Sequence, residues 1–564
     1  MDIDYQRCEF AYTPGSGQEH QRHPVVVVGA GPVGLATAID LAQGGVPVVL
    51  LDDDNKLSAG SRAICFAKRT LEVFDRLGCG QRMADKGVSW HVGRIFHRDE
   101  EVYNFDLLPE EGHQRPAFVN LQQYYVEGYL HDRAQELPNL DLRWRSRVTG
   151  LVQHPGHVAL TVDTPEGEYV LEAQYVVAAD GGRSTVRGLL GLESHGRSFR
   201  DRFLIADVKM TADFPAERWF WFDPPFHRGQ SVLLHRQPDN IWRIDFQLGW
   251  DADPVAEKAP ERVIPRIKAL LGEDAQFELE WVSIYTFCCL RMDDFRHGRV
   301  LFAGDSAHGV SPFGARGANS GVQDADNLAW KLRLVVEGKA PDALLDSYAK
   351  EREVAADENI LNSTRATDFI TPKSDASRMF RDAVLQLAKD QPFARKLVNS
   401  GRLSMPSTYA DSALNTPDLD GFAQAMRPGA PAADAPLLNA GQRDWLLRHT
   451  GGDFTGIYFA GSVRDAEVAA QAAALAGEAI PVKTLVIAAQ GQGGPGMLED
   501  AEGLFAARFD ATPGSYYLLR PDQHVCARWR SFNVQAVRAA VARATSNTAA
   551  PRAIEQPVLQ MEHA

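Results

Sequence analysis

The sequence predicts a protein of the α/β class, α+β when taken as a whole, built from more than one domain. Three observations support this fold class. A run of four valines, Val25–Val28, is followed by a glycine turn and a helical segment, the middle of the chain holds short alternating apolar runs, and a new pattern begins near Met426. A continuous β-branched run is typical of a strand buried on both faces of a parallel sheet.

Composition excludes several classes of function. The net charge of -15 argues against a nucleic-acid partner. The sequence has no apolar run of about 18 residues, so we expect no membrane partner. The N-terminal segment MDIDYQRCEF lacks the apolar stretch of a signal peptide, and the six cysteines form neither a C-x-x-C pair nor a zinc pattern. We therefore expect no metal site, reduced thiols and a cytoplasmic location.

The first strand leads into a dinucleotide-binding fingerprint. Gly29, Gly31 and Gly34 form G-x-G-x-x-G between the valine strand and a helix, and the acids Asp52 and Asp53 end the second strand. The first glycine permits the tight turn, the second lets backbone approach a pyrophosphate, and the third lets the helix pack on the strand. A carboxylate at the second strand end can bind ribose hydroxyls. The fingerprint alone does not distinguish FAD from NAD.

Two later segments carry similar turns. In YVVAADGGRSTVRGLLGL, a strand leads into a polar turn that begins at Asp180. In GRVLFAGDSAHGVSPFGARGANSGVQDADNLAWKL, a strand leads into the Gly304-Asp305 turn, and a helix begins near Gly317. The start of that helix places free backbone N–H groups and a positive dipole end at a ligand site.

These three segments, in this order, resemble the signatures of single-component FAD-dependent aromatic hydroxylases, the group A flavoprotein monooxygenases. The resemblance runs from about Pro24 to Arg352 and is greatest for the phenol and 3-(3-hydroxyphenyl)propionate hydroxylase branch. It implies a glutathione-reductase-like Rossmann FAD domain, an antiparallel-sheet substrate domain and a C-terminal thioredoxin-like domain. It also implies FAD as cofactor, NADH or NADPH as co-substrate, and a small phenolic substrate with O2.

The resemblance assigns the FAD contacts position by position. The three fingerprint glycines and Arg62 correspond to pyrophosphate contacts, Asp52 with Asp53 to the adenosine ribose, and Gln123 (or Gln122) to the ribityl or phosphate region. Asp180 corresponds to the acid that serves both FAD and NAD(P)H. Around the flavin itself, the resemblance implies contacts from Gly304, Asp305, Pro312, Gly317, Ala318 and Asn319. His308, in the same segment, is expected to pack against a helix, and Ser306 replaces the common alanine of the family with no expected effect.

The implied reaction is hydroxylation of a phenol. NAD(P)H reduces FAD, O2 adds to the reduced flavin as a C4a-hydroperoxide, and its distal oxygen passes to an electron-rich ring carbon. The flavin supplies this chemistry, and the protein holds the substrate and excludes water. Three alternatives remain open: another FAD oxidoreductase such as an oxidase or reductase, a hydroxylase that tailors a polyketide aromatic, and a non-enzymatic flavin-binding protein.

The segment from 196 to 289 is expected to hold the substrate. Its aromatic and β-branched runs alternate, which is typical of an antiparallel sheet. A phenol pocket needs apolar walls with a few polar groups, although each polar residue here could equally belong to sheet packing or to a solvated face. Tyr285 and Arg243 are the catalytic candidates, within the wider set His235, Arg236, Arg243, Asp245, Gln247 and Tyr285.

The predicted domain boundaries follow from these patterns. From 425 to 545 the resemblance implies the thioredoxin-like domain, but this region has only Cys526, so we expect it to be redox-inactive and to have a structural or homodimer-forming role. The predicted parts are an N-terminal arm at 1–23, the FAD-binding domain at 24–195 and 290–365, the substrate domain at 196–289, a helical linker at 366–424, the thioredoxin-like domain at 425–545 and a polar tail at 546–564.

Overall fold

The structure is a computed structural model of the chain, and it describes residues 5–12, 22–58, 63–398, 403–460 and 466–547. It is a mixed α/β architecture, as the sequence predicts. Much of the predicted arm and nearly all of the predicted tail lie outside the described residues. No helix in the described ranges combines the length and the apolar character needed to cross a membrane.

Strands and helices alternate in the first part of the chain and separate later. The strands are β1 (His23–Val28), β2 (Val48–Leu51), β3 (Cys65–Ala67), β4 (Val88–Trp90), β5 (Val92–His97), β6 (Glu100–Asp106), β7 (Phe118–Asn120), β8 (Leu140–Arg143), β9 (Arg147–Gln153), β10 (Val158–Thr164), β11 (Gly167–Ala178), β12 (His195–Lys209), β13 (Arg218–Phe222), β14 (Ser231–Arg236), β15 (Ile241–Leu248), β16 (Glu278–Arg291), β17 (Arg296–His297), β18 (Val300–Phe302), β19 (His308–Gly309), β20 (Pro436–Asn439), β21 (Gln442–Trp445), β22 (Phe454–Ala460), β23 (Val482–Ala489), β24 (Leu498–Asp500), β25 (Tyr516–Leu519) and β26 (Val525–Trp529). The α-helices are α1 (Pro32–Gln43), α2 (Lys68–Arg76), α3 (Gly80–Lys86), α4 (Gln123–Gln135), α5 (Thr185–Leu189), α6 (Pro260–Leu271), α7 (Gly317–Val336), α8 (Leu344–Ile370), α9 (Asp375–Ala388), α10 (Pro392–Arg395), α11 (Ala466–Ala476), α12 (Leu504–Phe509) and α13 (Val534–Ala544).

The first sheet contains the predicted buried parallel strands, and β9, β10 and β17 join it in antiparallel pairing. Its strands follow the order β17-β18-β11-β1-β2-β8, and β1 lies parallel to both β2 and β11. Residues Val25–Val28 are all buried, which is why the strand consists of valine throughout. Helix α1 packs against α4 and α7, so the glycine turn that precedes α1 and the α7 helix belong to one core.

The second sheet is antiparallel except at one junction. Its order is β19-β16-β12-β15-β14-β13-β5-β6, and β13 pairs with β5 in parallel. The sheet therefore recruits β5 and β6, which the sequence analysis placed in the range 24–195. Local patterning could not predict this, because the alternation in β5 marks a half-buried strand without identifying its partner.

The C-terminal region forms a third sheet in the order β21-β20-β24-β23-β22-β25-β26. A buried charge cluster, which we define as Lys331, Glu351, Arg520 and Asp522, connects it to α7 and α8. Arg520 donates to Glu351 at 2.6 Å and to Asp522 at 2.5 Å, and Lys331 donates to Glu351 at 2.8 Å. Buried ion pairs between side chains thus connect the third sheet to the helices that flank the first sheet.

Candidate active site

A cavity of about 590 Å³ lies between the first two sheets. One wall is the carboxyl edge of the parallel sheet, where ligands of open α/β sheets bind. The other wall is the facing surface of the second sheet, from β12 to β16. A chamber walled on two sides in this way can hold an extended ligand at the parallel edge and a second molecule under the antiparallel sheet.

The glycine turn is built for close approach. Gly29 has φ +103°, and a Cβ on Gly34 would lie 1.8 Å from the Gly29 carbonyl oxygen, so helix α1 can pack only on a glycine there. Gly31 is different, because a Cβ at that position would meet nothing within 4 Å and would project into open space. Gly29 and Gly31 line the cavity and Gly34 does not. Gly34 therefore serves the packing of α1, whereas Gly31 leaves space for a ligand.

Asp52 and Asp53 lie at the end of β2, and both line the cavity. Asp52 accepts hydrogen bonds from the backbone N–H of Ala30 at 2.6 Å and of Asp54 at 2.9 Å. Burial raises the pKa of Asp52 to about 6 despite these bonds. The carboxylate therefore connects the glycine turn to the strand that follows it.

Gln123 lines the cavity within a small polar network. Its amide nitrogen donates to Ser58 Oγ at 3.0 Å and to Glu127 Oε1 at 2.7 Å, and its amide oxygen accepts from the Ala63 N–H at 3.0 Å. Ser58 and Glu127 also line the cavity, and the sequence analysis missed both of them. Gln122, the fallback position, donates instead to the Pro238 carbonyl at 3.3 Å. Arg62 lies outside the described residues.

Asp180 lies just after β11, and among the described residues only one of its two carboxylate oxygens has a hydrogen-bond partner. Its Oδ2 accepts from the Val186 N–H at 3.0 Å, whereas its buried Oδ1 has no hydrogen-bond partner among the described residues. Burial raises the pKa of the Asp180 carboxyl. Since a buried acceptor without a partner is costly, Asp180 is suited to a ligand donor such as a hydroxyl.

Helix α7 begins at the cavity, and Asp305, Pro312, Gly317, Ala318 and Asn319 all line it. The Asn319 side chain accepts from the Ala67 N–H at 2.8 Å and donates to the carbonyls of Cys65 at 2.8 Å and Ala315 at 2.6 Å. Both N–H groups of its amide are therefore engaged with protein backbone, and the flavin contact expected at this position stays a prediction. The N–H groups of the first turn of α7 are the part that a ligand can use.

Two residues of the third signature lie behind the cavity wall. Gly304 does not line the cavity, and its N–H donates to Asp324 at 2.8 Å. His308 is buried with its Nε2 at 2.7 Å from Asp324 Oδ2, as expected for a helix-contacting histidine. Asp324 also accepts from Arg352 at 2.5 Å, and these two partners hold the pKa of Asp324 low in spite of its burial.

The inner end of the cavity, under the second sheet, has apolar and polar walls. Four of the predicted pocket residues line it, and Arg236 and Gln247 do not. Arg243 donates to both oxygens of Asp207 at 2.8 and 3.0 Å, so it forms a buried ion pair, and its catalytic role stays a prediction. Tyr285 lies at the partly exposed edge of the cavity. The predicted residues that line it are His235, Arg243, Asp245 and Tyr285.

Sequence reasoning missed several residues of this inner end. Arg218 opens the strand RWFWF and pairs directly with His235 on β14, so both side chains point to the cavity face. Only the strand register reveals this, because the sequence of β13 alone is dominated by its aromatic residues. The missed lining residues are Cys65, Phe203, Ile205, Arg218, Leu233 and Phe313.

The fold and the cleft define a dinucleotide-binding α/β protein whose carboxyl-edge crevice is covered by a second, largely antiparallel sheet. The family described as "FAD binding domain" matches residues 22–363. A protein named "Probable NADH-specific resorcinol 4-hydroxylase" from Rhodococcus jostii is 34% identical over 360 residues, which span 61% of this chain and 64% of that protein. The 6-methylpretetramide 4-monooxygenase of Streptomyces rimosus is 30% identical over 530 residues, which span 89% of this chain and 90% of that protein.

The fold extends over nearly the whole chain in a solved structure. The flavin-dependent monooxygenase PieE, in complex with FAD and substrate, superposes with a TM-score of 0.79 at 23% identity, covering 94% of this chain and 100% of that one. The chain belongs to the FAD-binding-domain family, in the group of single-component FAD-dependent aromatic hydroxylases.

Proposed function

We propose that this protein is a monooxygenase that uses FAD, NAD(P)H and O2 to hydroxylate a phenolic aromatic compound. The observation that carries the proposal is the single cavity that continues from the glycine turn and the first turn of α7 to the polar inner end beneath the second sheet. Cofactor and substrate can therefore meet in one chamber. A small phenol such as a 3-(3-hydroxyphenyl)propionate-like compound is the favoured substrate class.

The residues at the parallel edge fit FAD. Gly31 leaves open space where a pyrophosphate would approach, Asp52 lines the cavity at the end of β2, where the proposal puts the ribose, and Asp180 Oδ1 has no hydrogen-bond partner in the described part of the chain. The N–H groups of Gly317 and Ala318 open α7 beside Pro312. When bound, FAD accepts a hydride and supplies the oxygen-activating chemistry.

The protein's own contribution is binding, orientation and exclusion of water. The start of α7 presents a positive dipole end where negative charge on a reduced ring would need stabilisation. Phe203, Ile205, Leu233 and Phe313 provide apolar walls that keep water away from the reacting ring.

The C-terminal sheet is proposed to be a thioredoxin-like domain without redox activity. The parallel pair β22–β23, flanked by antiparallel β25 and β26, supports that fold. The Cys526 thiol is buried, and burial raises its pKa to about 12, so it would not act as a thiolate. We also propose a cytoplasmic homodimer, for which a monomeric solution mass would be the contrary result.

Oxidation of NADH and NADPH by the purified yellow protein, with and without a panel of phenols, tests the proposal. One phenol should accelerate oxidation many-fold, with O2 consumed and little peroxide released. Slow oxidation that is equal with every phenol and yields only peroxide would contradict it. Oxygen uptake without NAD(P)H would instead indicate an oxidase.

A second candidate is hydroxylation of a polyketide-type aromatic. The 6-methylpretetramide 4-monooxygenase aligns with 89% of this chain, including the C-terminal region. Including a polycyclic phenol in the panel separates the two substrate classes by the ratio of their kcat/KM values.

A further inference from the structure

Three buried polar atoms at the inner end of the cavity lack partners. Within the described residues, Arg218 Nε, His235 Nδ1 and Asp245 Oδ1 are buried and form no hydrogen bond. All three residues line the cavity. Because most buried polar groups in folded proteins are paired, three unpaired atoms on one surface indicate that a bound molecule completes them.

The strand register brings these side chains to one face. Arg218 on β13 pairs with His235 on β14, and Asp245 on β15 pairs with Leu233, two residues before His235. Paired residues and residues two apart share a face of the sheet. Arg218 and Asp245 are two strands apart, a backbone separation of about 10 Å, so a ring oxygen can lie between their side chains.

Arg218 is a buried cation without a carboxylate partner. Its Nη2 donates to the Phe313 carbonyl at 3.1 Å, and within the described ranges it forms no ion pair. Burial lowers the pKa of its guanidinium. The neighbouring Arg243 differs, because Asp207 binds it through both carboxylate oxygens and raises its pKa against the effect of burial.

Asp245 is the group at this end that can exchange a proton near neutral pH. Burial raises its pKa to about 6, with Arg243 and Arg218 opposing and Asp207 adding to that effect. Burial keeps His235 neutral by holding its pKa well below the usual range, and it raises the pKa of the Cys65 thiol to about 11. The charged and titratable groups facing Asp245 are therefore Arg218, Arg243 and Asp207, with neutral Cys65 and His235.

We propose that the inner end of the cavity is the site where the ring hydroxyl of the substrate ionises, with Asp245 accepting its proton and Arg218 donating to the oxyanion that remains. The inference rests on the proposed function, and it assigns the proton acceptor and the oxyanion donor of that reaction to Asp245 and Arg218. The O–H bond breaks, its electron pair stays on the ring oxygen, and the proton forms an O–H bond with the Asp245 carboxylate. No oxidant or reductant is consumed in this step.

The test uses the FAD-loaded protein and 4-nitrophenol, whose phenolate is coloured. Difference absorbance against the protein alone, over a pH series, gives the apparent pKa of the bound phenol, which should lie below that of the free phenol. In Arg218→Gln this shift should disappear, and nitrophenolate should bind about 10- to 100-fold more weakly. Arg218→Lys, which keeps the charge, should fall between the two.

Proton release measures the role of Asp245. Between the Asp245 pKa of about 6 and the pKa of free nitrophenol, the wild type should bind phenolate with little proton release, because the Asp245 carboxylate takes up the proton. Asp245→Asn should release about one proton per bound phenolate, measured by calorimetry in buffers of different ionisation enthalpy. Matched controls are Arg236→Gln, on the same strand as His235 but outside the cavity, and exposed Asp251→Asn. Flavin absorbance verifies that each variant is folded and loaded.

Each outcome decides the inference. It is overturned if nitrophenol fails to bind to the wild type, binds only as the neutral phenol, or responds equally to Arg218→Gln and Arg236→Gln. Equal proton release in Asp245→Asn and the wild type overturns the role of Asp245. Bound phenolate without phenol-stimulated NAD(P)H oxidation would leave this site standing and contradict the proposed function. Stimulated NAD(P)H oxidation that Arg218→Gln leaves unchanged would support the proposed function and overturn the role of Arg218.

Discussion

At the scale of single residues, the cavity separates side chains that hold the protein together from those left for a ligand. Asn319 and Arg243 are polar, line the cavity and are candidates from the sequence, yet their side chains form hydrogen bonds with protein groups. Arg218, Asp180 and Asp245 each keep a buried polar atom that has no partner among the residues the structure describes. The unpaired atom, rather than the residue type, marks the positions where binding energy remains available.

The fingerprint glycines give the sharpest residue-scale prediction. Gly31→Ala should leave the free energy of unfolding of the FAD-free protein within about 1 kcal/mol of the wild type, because a Cβ there meets open space. It should weaken FAD binding at least about ten-fold, since the methyl group enters the space proposed for the pyrophosphate. Fluorescence titration with FAD and urea unfolding measure the two quantities.

Gly34→Ala is the contrasting variant. Its Cβ would collide with the Gly29 carbonyl oxygen, so it should destabilise the fold itself by about 1–3 kcal/mol or more. Gly188→Ala, on α5 outside the cavity, should change neither quantity. If Gly31→Ala bound FAD as tightly as the wild type, the proposed pyrophosphate position would be wrong.

At the scale of elements, the start of α7 is positioned by a side chain from its own first turn. Asn319 bridges to the backbone of β3 and to Ala315, which has a left-handed φ of +50°. The sequence predicts the helix and its glycine-rich entry, because these depend on local pattern. It could not predict the Asn319 bridge, because β3 lies more than 250 residues earlier in the chain.

Replacing Asn319 tests this bridge. Asn319→Ala removes the partner of the Ala67 N–H and of two carbonyls, so the free energy of unfolding should fall by about 2–4 kcal/mol, and FAD binding should weaken with it. Asn319→Asp keeps the acceptor but sets a buried carboxylate oxygen against the carbonyls of Cys65 and Ala315, and should destabilise at least as much as Asn319→Ala. Urea unfolding measures the effect, with Asn104→Ala, at an exposed position of β6, as the control expected within about 0.5 kcal/mol of the wild type. A neutral Asn319→Ala would contradict the bridging role.

At the scale of the whole molecule, buried ions connect the C-terminal sheet to the cofactor side. Arg520 pairs with Glu351 on α8 while Lys331 on α7 pairs with the same carboxylate. The sequence predicts a separate C-terminal unit but not this connection, because the partners come from α7, α8 and the segment after β25. The partnership of β5 and β6 with β13 is a second long-range feature that no local pattern predicted.

Removing Arg520 should destabilise the protein as a whole. Arg520→Ala leaves Glu351 and Asp522 buried without their main cation, and the expected loss is about 3–5 kcal/mol in urea unfolding. Exposed Arg443→Ala, whose partner is Glu502, should cost less than about 1 kcal/mol. A single transition followed by both flavin and tryptophan signals is expected in the wild type.

The dependence of stability on acid pH provides an independent test of the same charge cluster. Arg520 and Lys331 hold the pKa of Glu351 below its ordinary value of 4.5, although burial opposes this. Stability from this carboxylate is therefore present above pH 4.5 and is lost as the pH falls through the depressed pKa. Arg520→Ala should lose less stability on acidification than the wild type, and an unchanged acid dependence would contradict the arrangement.

The recruitment of β5 and β6 into the second sheet limits how this protein can be rebuilt. A chimaera that exchanges only 196–289 with a relative would pair a foreign β13 with this chain's own β5, because β5 is formed by residues 92–97. Shuffling of substrate specificity would therefore succeed only when both stretches come from one parent. Engineering hydroxylases by recombination therefore requires one pair of crossover points before Val92 and after Asp106, and a second pair on either side of 196–289.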